Sequence, residues 1–172
     1  MTRGDVQVLH DMGSDILTVA LDAAAPELFD RTRGKGVQSP HSWKKYWEIM
    51  MEARDIFGPK KFGAHIIVGM GETEHDVMRV VQEIVDLGGH SHMFCFFPEK
   101  GSLMDHLPAT PRDQWRRVQL ARYLVDYCGV RVEQAALSAL RHRHADGRGQ
   151  PGAERPGGDL DPGGVVHLRV AG

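Results

Sequence analysis

Cysteine is scarce in this sequence, which holds only Cys95 and Cys128 among 172 residues. Two cysteines so far apart in the chain cannot supply the ligands of an iron–sulfur cluster or of a four-cysteine zinc site. One disulfide between them is conceivable, but Cys95 lies in the apolar run MFCFF, and we predict that it is a buried thiol. A reducing, cytoplasmic setting follows from this cysteine usage.

Long apolar runs and an excess of charge are also absent. No apolar run approaches the roughly 20 residues needed to span a bilayer, and the N-terminal MTRGDVQVLHDMG has no apolar stretch of signal-peptide length. The formal net charge is −2, with 26% charged residues. Nucleic-acid binding depends on clustered lysine and arginine. We therefore expect neither a nucleic acid nor a membrane as a partner.

Motifs for metal binding or nucleophilic catalysis are missing. The ten histidines include no H-E-x-x-H pair, and the clusters His90-Ser91-His92 and His142-Arg143-His144 lack acidic or thiolate neighbours. No G-x-S-x-G nucleophile motif occurs. The sequence predicts no metal site and no serine nucleophile.

Three short apolar runs indicate buried strands, at residues 16–21, 63–68 and 93–97. Their nearly continuous hydrophobicity is typical of parallel strands. Helical periodicity separates them, with helices expected after Ser42, after Thr73 as N-cap and after Thr110. At the last of these, Thr110 is predicted to cap the helix, with Pro111 as its first residue and Asp113 completing a capping box.

Strands that alternate with helices predict an α/β fold with parallel pairing. Three strands cannot close a barrel, because closure takes about eight, so we expect a partial (β/α) barrel. Residues 1–108 would form it and residues 109–140 would add a helical segment. Residues 141–172, rich in glycine, proline and arginine, are predicted to be a disordered tail.

Ligands of βα units bind at the carboxyl ends of the strands. Asp22 follows the first run, where it would either accept hydrogen bonds from a ribose diol or cap the next turn. After the second run, the loop from Gly69 to Thr73 lacks both the dinucleotide and the Walker fingerprints. Glu72 and Glu74 at a helix N-terminus would repel a pyrophosphate, so this loop favours a neutral or cationic ligand.

After the third run comes the sequence FFPEKGS. Phe97 and Pro98 would either present an apolar surface and peptide groups to a planar base or simply end a core strand.

Four segments together resemble the radical S-adenosylmethionine (radical SAM) superfamily, nearest to its biotin synthase and lipoyl synthase branch. They are MGSD through ILTVALDA, then RTRGKG, HIIVGMGETEHDV and FCFFPEKGSLM, in the family's order over about residues 5–108. The most specific is IVGMGETE, which is similar to the family's I-x-G-x-x-E element, here Ile67, Gly69 and Glu72.

The resemblance implies roles for several residues in binding S-adenosylmethionine. Ile67 and its loop, with Gly69 and Glu72, would pack beside the adenine, and the backbone of Phe97 and Pro98 would face it. Asp22 would bind the ribose. Arg31 or Arg33 would meet the methionine carboxylate.

The chain also departs from the family. The C-x3-C-x2-C loop that holds the family's 4Fe–4S cluster has no counterpart here. The resemblance therefore implies a fragment of a radical SAM enzyme that contributes the adenosyl-binding half of the barrel and is inactive alone. The alternatives are a non-catalytic half-barrel that docks onto a chain supplying the missing half, and an unrelated βα fragment. For the complete enzymes of the family, the resemblance implies a small-molecule substrate.

Overall fold

A computed structural model of the chain describes residues 1–133. The predicted tail, residues 141–172, and the end of the predicted helical segment lie outside these residues. The described elements, in chain order, are α1 (Arg3–Asp11), β1 (Leu17–Asp22), α2 (Pro26–Thr32), a 3₁₀ turn (Lys35–Val37), α3 (Trp43–Phe57), β2 (Phe62–Val68), α4 (Glu74–Asp86), β3 (His90–Cys95) and α5 (Arg112–Cys128).

The three strands form one parallel sheet in the order β1-β2-β3. Helices separate consecutive strands, so the predicted α/β fold with three parallel strands is confirmed. Leu17 is paired with Phe62 and Gly63 with His90, which places the carboxyl ends of all three strands at the same edge. The sheet therefore offers one common edge at which loops from three strands can meet.

The two faces of the sheet differ in burial. Alternate residues of β1 and β2 are buried, and they pack with helix residues such as Met50, Val77 and Val81 into the core. The intervening residues are only half-buried in both strands, apart from Gly63, which is buried. Because successive strand residues point to opposite faces, the helices of residues 1–133 cover one face and leave the second open.

Local sequence explains where α3 and α4 begin, and both predicted helices are confirmed. The Ser42 hydroxyl accepts a hydrogen bond from the Lys45 amide at the start of α3. In α4 the capping box is complete, since the Thr73 hydroxyl accepts from the Asp76 amide and the Asp76 carboxylate accepts from the Thr73 amide. These two hydrogen bonds satisfy amides that a helix otherwise leaves unpaired.

The predicted start of the last helix is wrong. The helix α5 begins at Arg112 with Pro111 as its N-cap, and no side chain caps it. The Thr110 hydroxyl is instead bonded to the backbone at the ends of β2 and β3. These tertiary partners replace the local capping interaction.

The predicted burial of Cys95 is also wrong. β3 begins at His90, three residues before the predicted run, and Cys95 is its last residue. Since β3 is an edge strand, its final residues have a neighbouring strand on one side only. Both Cys95 and Cys128 are free and exposed.

A cleft of about 670 Å³ lies along the free edge of β1. Its lining includes Leu9, Ile16, Thr18, Ala20 and Ile49. The Leu17 amide donates to the Lys61 carbonyl on the β2 side, so the alternation of the strand turns the backbone groups of Thr18 toward the cleft. Within residues 1–133, no helix is both long and apolar enough to cross a membrane.

Candidate ligand site at the strand ends

A cleft of about 740 Å³ lies at the carboxyl ends of β2 and β3. This volume falls within the range of pockets that hold small molecules and cofactors. The loop after β2 contributes Met70 and Gly71, and the segment after β3 contributes Phe96, Phe97 and Glu99. The end of α2 contributes Arg31.

The lining combines an aromatic surface with charges of both signs. Phe97 is 76% exposed, whereas its neighbour Phe96 is buried. An exposed ring beside a cleft can stack on a planar base. Arg31 offers a guanidinium to a carboxylate, and Glu99 offers a carboxylate to a cation or a hydroxyl. The cleft can therefore hold a zwitterionic ligand that carries an aromatic ring.

Thr110 fixes the backbone that borders this cleft. Its hydroxyl donates to the Val68 carbonyl at 2.6 Å and accepts from the Phe96 amide at 3.0 Å. A Cβ placed on Gly69 would overlap this hydroxyl, and Gly69 has a φ of +105°. Position 69 therefore requires glycine for two reasons, its left-handed backbone and the closeness of Thr110.

Glu72 stabilises the same loop from within. Its two carboxylate oxygens accept hydrogen bonds from the Gly69 amide at 2.5 Å and from the Met70 amide at 3.0 Å. Such consecutive amides form the kind of concave nest that binds anions in other loops. Because a carboxylate of the chain itself fills the nest, a phosphate has no place there.

Asp22 and Arg33, both predicted to bind a ligand, form an ion pair with each other. Asp22 has a φ of +59° at the end of β1. The Arg33 guanidinium also lies 5.6 Å from the centroid of the Tyr46 ring and donates to its hydroxyl at 3.5 Å. Neither Asp22 nor Arg33 lines the cleft. The pair joins the end of β1 to the segment after α2 and to α3.

The structure thus brings together some of the predicted residues and separates others. Phe97 lines the cleft, while Gly69 and Glu72 shape the loop that borders it. Pro98 follows Phe97 and is half-buried, and Ile67 is half-buried near the end of β2. Neither of these two residues is part of the cleft lining.

Arg31, rather than Arg33, points to the cleft. Its guanidinium approaches Gly71, where an added Cβ would lie 3.5 Å from Nη2. The resemblance gives both arginines as alternatives, and no local sequence pattern distinguishes one from the other. In the folded chain Arg33 forms an ion pair with Asp22, and only this pairing makes Arg33 unavailable to a ligand.

Sequence reasoning missed a group on the open face of the sheet. The pairing of His65 with His92 adds a third imidazole to the His90–His92 pair. Burial lowers the pKa of His90 and of His92, and neighbouring positive charges lower both further. The signal in the sequence is an H-x-H pattern in one strand and a histidine in the neighbouring strand. Recognising that these side chains meet requires the register between the two strands.

Comparison with known proteins does not assign the chain. No protein-family model matches it, and no curated protein has a significantly similar sequence.

Proposed function

We propose that this chain is the adenosyl-binding half of a radical SAM-type β/α barrel, which works together with polypeptide that supplies the remaining strands and the cluster-binding cysteines. The observation that carries the proposal is the cleft at the carboxyl ends of β2 and β3, with Phe97, Arg31 and Glu99 in its lining. The resemblance of the segments around Gly69 and Phe97 to that superfamily supports it.

The groups in the cleft fit the parts of S-adenosylmethionine. Phe97 suits the adenine ring as a stacking surface. Arg31 suits the carboxylate of the methionine moiety, and Glu99 suits its ammonium group. Glu72 occupies the backbone amides that would otherwise attract a phosphate. The cleft therefore favours an adenosyl compound without phosphates over a nucleotide.

The residues do not fit a 4Fe–4S cluster. Such a cluster in this superfamily needs three neighbouring thiolates, whereas the sequence has two distant cysteines. Among residues 1–133 no group of three potential ligands is placed to hold a metal ion. We accordingly assign to this chain the binding and orientation of the adenosyl group, and no radical step.

Calorimetric titration of the full chain with S-adenosylmethionine tests the proposal. Phe97→Ala should weaken binding roughly tenfold, since stacking of a base on an aromatic ring contributes about 1–3 kcal/mol. Arg31→Gln should weaken binding of S-adenosylmethionine but not of adenosine, which lacks the carboxylate. ATP should bind poorly to the unchanged chain.

Phe94→Ala is the matched control. Phe94 is 50% exposed and lies outside the cleft lining, so its loss should leave the affinity unchanged. Absence of binding at millimolar S-adenosylmethionine would refute the proposal, and so would equal affinity in the Phe97→Ala variant.

A second candidate function is a non-catalytic half-barrel that docks onto another chain. The specific observation in its favour is the apolar cleft along the free edge of β1, whose lining includes Thr18 and Ala20. Under this alternative, strand addition at β1 would occur without any affinity for adenosyl compounds.

A further inference from the structure

Three imidazoles meet on the open face of the sheet. His65 on β2 is paired in register with His92 on β3, and their ring centroids are 5.5 Å apart. The His90 ring lies 4.7 Å from that of His92 on the same strand. Gly63, opposite His90, leaves the room for this arrangement, since an added Cβ would overlap the His90 backbone. We call His65, His90 and His92 the histidine cluster.

The surroundings of the histidine cluster hold little negative charge. The other residues of this face are apolar or neutral: Thr18, Ala20, Ile67 and Phe94. The Phe94 ring contacts His65 edge to face at 5.2 Å. The carboxylate of Asp22, at the end of β1, is engaged by Arg33. On this face of residues 1–133, the imidazoles are thus the only side chains that can take on positive charge by protonation.

Positive charge accumulates when the histidine cluster is protonated. Burial and then the Arg122 guanidinium lower the pKa of His90, while Asp126 and a backbone hydrogen bond at Lys60 act in the opposite direction. Burial, the other two histidines and then Arg122 lower the pKa of His92. Each protonated imidazole makes the next protonation less favourable, and a bound anion would remove that repulsion.

Metal binding does not account for the histidine cluster. The described residues contain no group of three histidine, cysteine or carboxylate side chains placed to hold a metal ion. Imidazolium groups, by contrast, donate hydrogen bonds from both ring nitrogens to an oxyanion.

We propose that the histidine cluster is a binding site for an oxyanion, either a carboxylate or a phosphate group, and that it binds in the protonated state. In the completed barrel of the proposed function this face would point inward and the substrate that enters would be anionic, an extension that rests on the proposed function. The inference concerns the open face alone and does not depend on the adenosyl cleft, which lies at the strand ends.

Thermal unfolding of the full chain with inorganic phosphate tests this site. At pH 5.5 phosphate should raise Tm by roughly 3–6 °C at about ten times its dissociation constant, relative to chloride of the same ionic strength. At pH 8.0 the difference should vanish, because neutral imidazoles no longer attract the anion. His65→Gln and His92→Gln should each abolish the effect at pH 5.5. His75→Gln, which changes an exposed histidine on α4, should retain it.

Titration of the imidazoles by NMR provides a second readout that is independent of folding stability. At pH 5.5 phosphate should change the imidazole chemical shifts of His65 and His92 and leave those of His75 unchanged. Acetate in place of phosphate tests the carboxylate class, and a response to phosphate alone would restrict the site to phosphoryl groups. The proposal fails if neither anion changes the chemical shifts of His65 and His92, or if the rise in Tm persists at pH 8.0 or in His92→Gln.

Discussion

At the scale of single residues, the loop after β2 depends on a few short contacts. Thr110 bonds to the ends of both β2 and β3, and Glu72 holds two amides of the loop. Gly69 lies between these two groups with a positive φ. The loop is therefore fixed before any ligand binds, which lowers the entropic cost of binding.

Gly69→Ala should destabilise the chain by about 3 kcal/mol, through a left-handed backbone and a clash with Thr110. Gly101→Ala is the matched control, because Gly101 also has a positive φ, +83°, but has open space around it. It should cost about 1 kcal/mol. Urea denaturation measures both free energies of unfolding. Equal losses would show that Thr110 does not crowd position 69.

At the scale of secondary structure, the start of α4 sets the direction of the loop after β2. The Thr73–Asp76 capping box is reciprocal, and the Thr73 hydroxyl and amide lower the pKa of Asp76. A carboxyl group with a lowered pKa in the folded state contributes stability above its unfolded pKa, about 3.9. That contribution is lost as the pH falls through the folded pKa.

Thr73→Ala should therefore reduce the free energy of unfolding by about 1 kcal/mol at pH 7. Thr73→Ser, which keeps the hydroxyl, should lose much less. The difference between the wild-type chain and Thr73→Ala should shrink as the pH falls below about 4, since protonated Asp76 no longer forms its half of the capping box. Urea denaturation at pH 7 and pH 3 measures this, and a pH-independent difference would contradict it.

The elements that sequence predicted correctly are those whose causes are local. Ser42 and Thr73 cap helices through residues three positions away, and the apolar runs identify the three strands. The prediction of Thr110 as a helix cap is wrong because its actual hydrogen-bond partners, Val68 and Phe96, are distant in sequence. The pairing of Asp22 with Arg33 and the meeting of His65 with His92 likewise require the assembled fold.

For the candidate site, sequence reasoning named residues near the carboxyl edge of the sheet, but not the full set of groups that line the cleft. Phe97 was identified because aromatic residues at a strand end suit a ligand. Arg31 and Arg33 are equivalent in sequence, and only tertiary contacts distinguish them. Burial of Cys95 was predicted from its apolar neighbours, which carry no information about its place at the end of an edge strand.

At the scale of the whole molecule, residues 1–133 have one covered sheet face, one open face and two edge strands. The unpaired backbone groups and apolar side chains along β1 are those of a sheet that accepts another strand. This architecture agrees with a half-barrel that other polypeptide completes.

Anaerobic reconstitution of the full chain with iron and sulfide should yield no stoichiometric cluster, because two distant thiols cannot replace three adjacent ones. Iron quantification after desalting measures this. A Cys95→Ser/Cys128→Ser variant provides the background for nonspecific iron and should give the same value. A full cluster in the unchanged chain, lost in the double variant, would show that the ligands have been misassigned.

The order of the strands in the sheet is the same as their order in the chain, and this has a consequence for how the molecule forms. Each strand pairs with the next strand along the chain, but the paired residues are far apart in sequence, as Leu17 with Phe62 and Gly63 with His90 show. Parallel pairing over such separations forms more slowly than local helical contacts do. During synthesis, β1 and β2 can associate only once β2 has left the ribosome, and β3 then adds to an existing pair of strands.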